Sequence, residues 1–591
     1  MSQIHRQTDT PHMGKIQKHL KALAKRASYA SRYHEYRLKG KHPLRLLGTP
    51  KDLWARTGPS ISVAAGSHIL SNRFFCAGQV LKNPNHKNGE WHGDDIWHAR
   101  ALGLKWQEYL HSFCWLRDLN LCLDRNAARK KAQALTAHWL ENYDQWHELF
   151  WLPDIIGQRI VNWMVYAPLI LDSNDMIYRS KILNCLARQS RHLHYAADKS
   201  LRGLPRMNAV MGLILAGLYI PYGEDWLKKG TSLLHQALDE EILEDGGTQS
   251  RCPEDIYHIL RNFLMIRASY KAMGHDVPEK LNVAINHMAA SLKAMVHGDG
   301  RLALFNGAAG LDAQEIAATL CLAKSAKDAA QEPFKVTDEK SSYRRLQQGS
   351  VLVIIDTGPP APVDISQHCH AGTLSFEMSC AKQRIIVNCG SARALPNLAT
   401  NDLDRLARST AAHSTIVLQD KNSSEIRPDG LIGRGPTMVE SQQSNVDGHL
   451  LLEASHDGYM RHFGVMHHRT IYMNDTGDDV RGEDILEVKT PLLKEEPPKF
   501  DVRFHIHPDV TITRQGADDR LLLRLPTSEY WQFQCSGGRL FLEESLYLGE
   551  GNRQKKTRQI VISGQIVTAS ESKTVIKWSL RRIEQKTSGK A

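Results

Sequence analysis

The hydrophobic period of this chain changes once, near the middle, and that change constrains the fold more than any other feature. From about residue 95 to 330, apolar residues recur every three or four positions, the spacing of helices with one buried stripe. Segments 95–116, 126–143, 153–171, 176–197, 204–220, 225–242, 253–273 and 279–296 read as helices. Short links carrying Gly or Pro, such as Pro221-Tyr222-Gly223 and Met273-Gly274, make neighbouring helices antiparallel. Such hairpins either stack in a line or close into an α/α toroid. No fixed-period repeat marks one of the common solenoids.

Residues 323–342 are polar and charged and read as a boundary. Beyond them come short β-prone runs, among them 351–355, 374–378, 384–388, 414–418, 502–506, 540–546 and 575–578, many separated by turn residues. That spacing predicts a large antiparallel β-sandwich. The expected fold class is therefore α+β and multidomain. It comprises a basic arm (1–50), a helical domain (51–330), a linker (331–345), a sandwich (346–582) and a short tail (583–591).

Composition excludes several alternatives. No apolar run reaches the roughly 20 residues a membrane helix needs, and 209–220 reads as a buried helix. The first residues lack the apolar core of a secretory signal. The ten cysteines form no Cys-x-x-Cys pair, which argues against a zinc ribbon, a redox motif or a disulfide scaffold. The net charge of +11 resides mostly in residues 1–45, where eleven basic residues face two acidic ones. The body is thus nearly neutral, and nucleic acid is not an expected partner. Within the arm, Ile16, Leu20, Leu23 and Ala27 recur at helical spacing among lysines. This pattern suits a basic amphipathic helix on an anionic membrane surface, or an arm that is solvated or docked on its own domain.

Three segments concentrate chemistry. His368-Cys369-His370, read as a strand, places both imidazoles on one face, suited to a metal or a paired base and ligand. His505 and His507 share that geometry, but only Asp509 accompanies them, and they read as structural. The third segment is LEDGGTQSRCPEDIYHILRN, residues 243–262. Here Asp245-Gly246-Gly247 turns the chain and Pro253 opens a helix with Glu254 and Asp255 in its first turn. Tyr257 and His258 beside Arg251 and Arg261 suit acid/base chemistry on an anionic substrate.

Five segments in order resemble the heparinase II/III-type polysaccharide lyases: WLPDIIGQRIVNWMVY (151–166), LPRMNAVMGLILAGL (204–218), EDGGTQSRCP (244–253), HCHAGTLSFEMSCAKQRIIVNCG (368–390) and ARSTAAHSTIVLQD (407–420). The resemblance implies an incomplete α/α toroid followed by a β-sandwich. It also implies cleavage of acidic, uronic-acid-containing glycans by β-elimination, which needs a neutralised carboxylate, a base and an acid. By that resemblance His368 is the catalytic histidine, Tyr257 the acid/base tyrosine and Asn208 the carboxylate partner, and Arg251 lies close to the anionic sugar. His258 joins the catalytic candidates and Arg261 the substrate-binding ones from the chemistry of their own segment. His370, His413 and Asn388 stand at positions of a zinc or other divalent metal site. The family acts in the cell envelope or periplasm, whereas the absence of a signal points to the cytoplasm.

The chain also departs from the family pattern. Tyr257 stands four residues after Pro253 instead of two, about 200° further round the helix. Asp255 takes the usual position. Gly372 and Asn388 replace expected carboxylates, and Asn is the poorer zinc ligand. Two other readings follow. One is a non-catalytic glycan-binding or envelope-assembly protein with a degenerate site. The other is a glycoside hydrolase drawing on Glu244, Asp245, Glu254 and Asp255.

Overall fold

The computed structural model describes residues 27–32, 34–36, 43–54, 60–76, 79–81, 83, 91, 95–98, 104–324, 342–395, 401–490, 496–516, 520–550, 553–569 and 572–583. Most of the amphipathic stretch expected in the arm lies outside these residues. Part of the arm does not. Tyr29 is buried and meets His192 edge-on at 5.1 Å, so this part of the arm docks on the helical domain.

The helices Arg125–Asn142, Met176–Ala196, Leu204–Tyr219, Glu224–Glu241, Pro253–Ala272 and Glu279–Ala294 lie where the periodicity places them. Local chemistry sets their starts. Asp124 accepts the Ala127 N–H at 2.9 Å, and Asp175 accepts those of Ile177 and Tyr178 at 2.9 and 3.0 Å. Pro153 and Pro253 open their helices, where a missing N–H is no loss.

Two expected helices are broken. Within segment 95–116, the helix Leu104–His111 stops before Trp115–Asn120 begins, because Phe113 adopts a φ of 61° that no continuous helix admits. Segment 153–171 stops at Val165 and resumes as Ala167–Ile170, where Pro168 has no N–H to continue the ladder. A helix not expected from the sequence, Ala313–Ala323, follows Asp312, whose carboxylate caps it.

Antiparallel helix pairs form an incomplete α/α toroid, with Leu204–Tyr219 among its most buried members. This helix packs on Pro153–Val165, Glu224–Glu241 and Pro253–Ala272. Close crossing is possible because Gly212 meets Gly157. A Cβ on Gly212 would lie 2.4 Å from the Gly157 Cα, and one on Gly157 would lie 2.2 Å from the Asn208 carbonyl oxygen.

The second half is a sandwich of two antiparallel sheets. One sheet runs Arg539–Tyr547, Lys555–Gln565, Lys499–Ile506, Gln383–Val387, Phe376–Cys380, Val351–Asp356, Tyr343–Gln348, with Ile416–Leu418 also pairing to Lys499–Ile506. The other runs Thr511–Arg514, Arg520–Arg524, Tyr530–Ser536, Lys573–Ile583, Asp479–Val488, Val465–Met473, His449–His456, Val439–Val446. The first strand, Tyr343–Gln348, begins inside the segment expected as linker. Alternating inward residues build the core, where Phe376 stacks on Trp578 at 5.3 Å and Phe504 meets the same indole edge-on at 5.1 Å.

Buried ion pairs join the halves. Arg251 of the toroid bonds Asp356 of the sandwich, and Arg384 of the sandwich bonds Asp299 at 2.8 Å. His297 reaches Glu377 at 3.2 Å, both fully buried. These contacts fix the toroid's loops against the sheet that carries the histidine segment.

Candidate functional site

The toroid's contribution begins at the Asp245-Gly246-Gly247 turn. Asp245 accepts the Gly247 N–H at 2.8 Å, and Arg251 then takes a left-handed φ of 57° ahead of Pro253. This conformation aims the Arg251 side chain into the domain interface. Besides Asp356, its guanidinium donates to the Gly358 and Pro359 carbonyls at 3.0 and 2.5 Å. Its own carbonyl accepts the Tyr343 hydroxyl at 2.6 Å. Both terminal nitrogens of the buried Arg251 thus bond the sandwich side, while its Nε has no partner among the described residues, and this geometry lends the expected substrate-binding role no support.

Tyr257 is fully buried within the toroid. Its hydroxyl accepts from Arg261 at 2.5 Å and donates to Glu315 at 3.2 Å. Arg117 pairs with the same Glu315 at 2.8 Å. Burial raises the Tyr257 pKa, although Arg261 pulls the other way. The extra half-turn after Pro253 is the reason: it points Tyr257 at the toroid interior. Arg261 follows it there and lies over the Trp54 ring at 4.2 Å. Asn208 is also inside, its side-chain oxygen accepting from Asn262 at 2.8 Å. Asp255, at the position where the resemblance expects tyrosine, accepts the Ser250 hydroxyl at 2.7 Å.

His258 keeps a different environment. Its side chain is 38% exposed and lies 3.6 Å from Glu254. Glu254 also accepts the Ala309 N–H at 2.8 Å. Burial would raise the pKa of this carboxyl, but His258, Arg393 and the Ala309 amide together hold it down at about 2. Of the carboxylates considered for hydrolysis, Asp245, Asp255 and Glu254 are thus engaged by neighbours.

On the sandwich side, the expected strand geometry of the histidine triplet is corrected. Residues 368–370 lie in a loop before the strand Phe376–Cys380, and Leu374 takes a φ of 60° at its end. Cys369 points to the toroid, its sulfur 3.3 Å from the Ser250 carbonyl. Arg408 ties the loop from behind, donating to the Cys369 carbonyl at 2.8 Å. His368 is half-buried and packs its backbone over the toroid's Gly307.

His370 and His413 meet directly, His370 Nδ1 to His413 Nε2 at 3.0 Å. The proton positions follow from the partners. His413 Nδ1 donates to the Ser409 carbonyl at 2.7 Å, so its Nε2 accepts and His370 Nδ1 donates. Burial drives both pKa values down, His370 well below its ordinary value and His413 to about 4. Both rings are therefore neutral near pH 7.

The remaining donors do not complete a metal site. The Asn388 side-chain oxygen accepts the Ser414 N–H at 2.9 Å, so it is spent on the backbone. A Cβ at Gly372 would lie 2.7 Å from the His413 ring, which occupies the space where a carboxylate is expected. Among the described residues no group of three or more His, Cys, Asp or Glu is arranged to hold an ion. His370 Nε2 is buried and has no hydrogen-bond partner among the described residues, so the pair offers a metal one open imidazole nitrogen, but no third His, Cys, Asp or Glu stands beside it among those residues.

One residue that the sequence reading missed links the two sides. Arg393 interacts electrostatically with Asp255, Glu254 and Cys369, and it also depresses the pKa of His370. Nothing in its local sequence, GSARALP, marks it. His258, Glu254 and Arg393 thus share one region with the histidine loop, whereas Tyr257, Arg261 and Asn208 share another inside the toroid.

The second histidine pair behaves as expected. His505 is buried, with Nε2 donating to the Ala411 carbonyl at 3.0 Å and Nδ1 bonded to the Ser545 hydroxyl at 2.7 Å. His507 lies past the strand end, 3.7 Å from Asp509.

Comparison with known proteins fits this architecture. Residues 337–579 match the domain family described as Heparinase II/III-like, C-terminal. A curated protein of Caulobacter vibrioides, FtsZ-localized protein C, is 29% identical over 565 residues, covering 92% of this chain and 93% of its own length. Among solved structures, heparinase III superposes with a TM-score of 0.73 at 12% identity, over 99% of this chain and 93% of that one. A mutant of the heparan sulfate lyase HepC of Pedobacter heparinus superposes with a TM-score of 0.61 at 14% identity, over 98% and 92%. At such identities the structures speak for the fold alone.

Proposed function

We propose that this chain, whose second half is a heparinase II/III-like C-terminal domain, uses the polysaccharide-lyase fold as a non-catalytic scaffold that localises with FtsZ. The observation that carries the reading is that no carboxylate stands with the bonded His370–His413 pair, since Gly372 and Asn388 occupy those positions and Asn388 Oδ1 is taken by the Ser414 amide. The inward Tyr257 supports it, because the hydroxyl expected to move a proton is held by Arg261 and Glu315. The full-length similarity to FtsZ-localized protein C supplies the cellular context. The basic arm adds a membrane contact: eleven cationic residues in the first 45 favour an anionic lipid surface. Among the described residues no helix is long and apolar enough to cross a membrane.

The test is to image a fluorescent fusion of the full chain beside labelled FtsZ in its own host. Coincident bands throughout the division cycle are expected. A uniform distribution that ignores FtsZ depletion overturns the proposal.

One observation favours a second reading, a lyase acting on a uronate glycan. His258, Glu254, Arg393 and the half-buried His368 are gathered near the domain boundary. In that reading Arg393 neutralises the uronate carboxylate and a histidine removes the C5 proton. It requires an unsaturated product whose appearance depends on His368.

A further inference from the structure

The toroid interior holds a cavity of about 320 Å³ that neither proposed function uses. Trp54, Tyr109, Asp118, Asn162, Arg261 and Asn262 are among its lining residues. Its size is at the lower end of the range for small-molecule sites. The hydrogen-bond inventory shows what the cavity lacks. Asn162 donates its amide hydrogen to the Ser112 carbonyl at 2.8 Å, which fixes its orientation and leaves its side-chain oxygen without a donor among the described residues. The Asp118 carboxyl receives the Tyr109 hydroxyl on Oδ2 at 3.2 Å and, among the described residues, no donor on Oδ1.

The cations nearby are already committed. Arg117 pairs with Glu315 at 2.8 Å, and Arg261 is shared between Tyr257 and the Trp54 face. The open positions are therefore acceptors, set among aromatic rings and apolar side chains such as Met211. Burial pushes the Asp118 pKa up to about 7 against the pull of Arg117, so an added anion is unwelcome beside it.

We infer that this cavity is a binding site for an uncharged, hydroxyl-rich sugar ring, whose hydroxyls donate to Asn162 and Asp118 while its C–H face lies on the aromatic wall. The ligand class differs from the uronates that the fold resemblance implies. The site also stands apart from the histidine loop, so the inference does not rest on the scaffold reading.

Isothermal titration of the full chain with N-acetylglucosamine, glucose and glucuronate tests it. Saturable binding of a neutral sugar is expected, with glucuronate at least about tenfold weaker. Asp118→Asn, which removes the charged acceptor, is expected to weaken the neutral-sugar complex about tenfold. Met211→Trp fills the cavity and is expected to abolish binding. Asp118 is partly exposed, so its variant is expected to keep the wild-type melting profile and stands as the test if Met211→Trp fails to fold. Glucuronate binding as tight as the neutral sugars overturns the inference. So does the absence of saturable neutral-sugar binding, or neutral-sugar binding that neither variant alters.

Discussion

The toroid keeps one network of ionisable groups beside a cavity, whereas the sandwich keeps two sets of imidazoles dry. In the toroid, Tyr257, Arg261, Glu315 and Arg117 exchange hydrogen bonds beside open space. In the sandwich, His370 bonds His413 and keeps Nε2 without a partner among the described residues, and a second fully buried set closes on itself. There Gly458 donates to His456, His456 to His467 and His467 to Asp484, which also takes Arg469 at 2.7 Å and the Trp578 indole at 3.0 Å. Arg469 further donates to the Leu374 and Ser414 carbonyls at 2.8 and 2.9 Å, fastening the ends of the histidine segments. The same residue types thus serve opposite ends. Groups beside a cavity remain available to a ligand, and groups closed on one another become structure.

The strongest way to break this contrast is at the interface between the two regions. Asp356→Ala leaves the buried Arg251 cation unpaired and is expected to destabilise the protein by about 3–5 kcal/mol, read by urea denaturation. A loss below about 1 kcal/mol would mean that Arg251 does not hold the domains.

Acid distinguishes the dry cluster next. His413 has a folded pKa of about 4 against an ordinary 6.5, so the unfolded chain takes up the proton first. Its stabilisation is complete above pH 6.5 and is lost as pH falls toward 4, by about 3 kcal/mol. Stability measured across that window is expected to fall, and His413→Asn is expected to flatten the part due to this ring. A wild-type profile that is level from pH 7 to 4 would contradict the neutral buried pair.

Tyr257→Phe sharpens the contrast on the toroid side. It removes one hydroxyl from a charged network beside a cavity that water can enter, so a loss of about 1 kcal/mol is expected in thermal or urea melts. His258→Ala has the smallest expected effect, below about 1 kcal/mol, because its partner Glu254 is met at a partly exposed position.

The fold was legible because its determinants are local. Pro153, Pro253, Asp124 and Asp175 mark helix starts in the sequence itself, and period alone separates the halves. The failures have a common cause. The alternation in His368-Cys369-His370 suggests a strand, yet the loop's shape depends on Arg408 and its chemistry on His413, both far along the chain. Arg251 shows a cation without showing Asp356. The rotation of Tyr257 was the exception, since its distance from Pro253 already contained the angle. Arg393 carried no signal, because only the packed domains give it partners.

The central claim is that the histidine segment is built for structure and not for turnover. Continuous ultraviolet absorbance during incubation of the full chain with a panel of uronate glycans tests it most directly. A flat trace is predicted for the wild type, indistinguishable from His368→Ala. A rise in absorbance that His368→Ala abolishes would contradict the account.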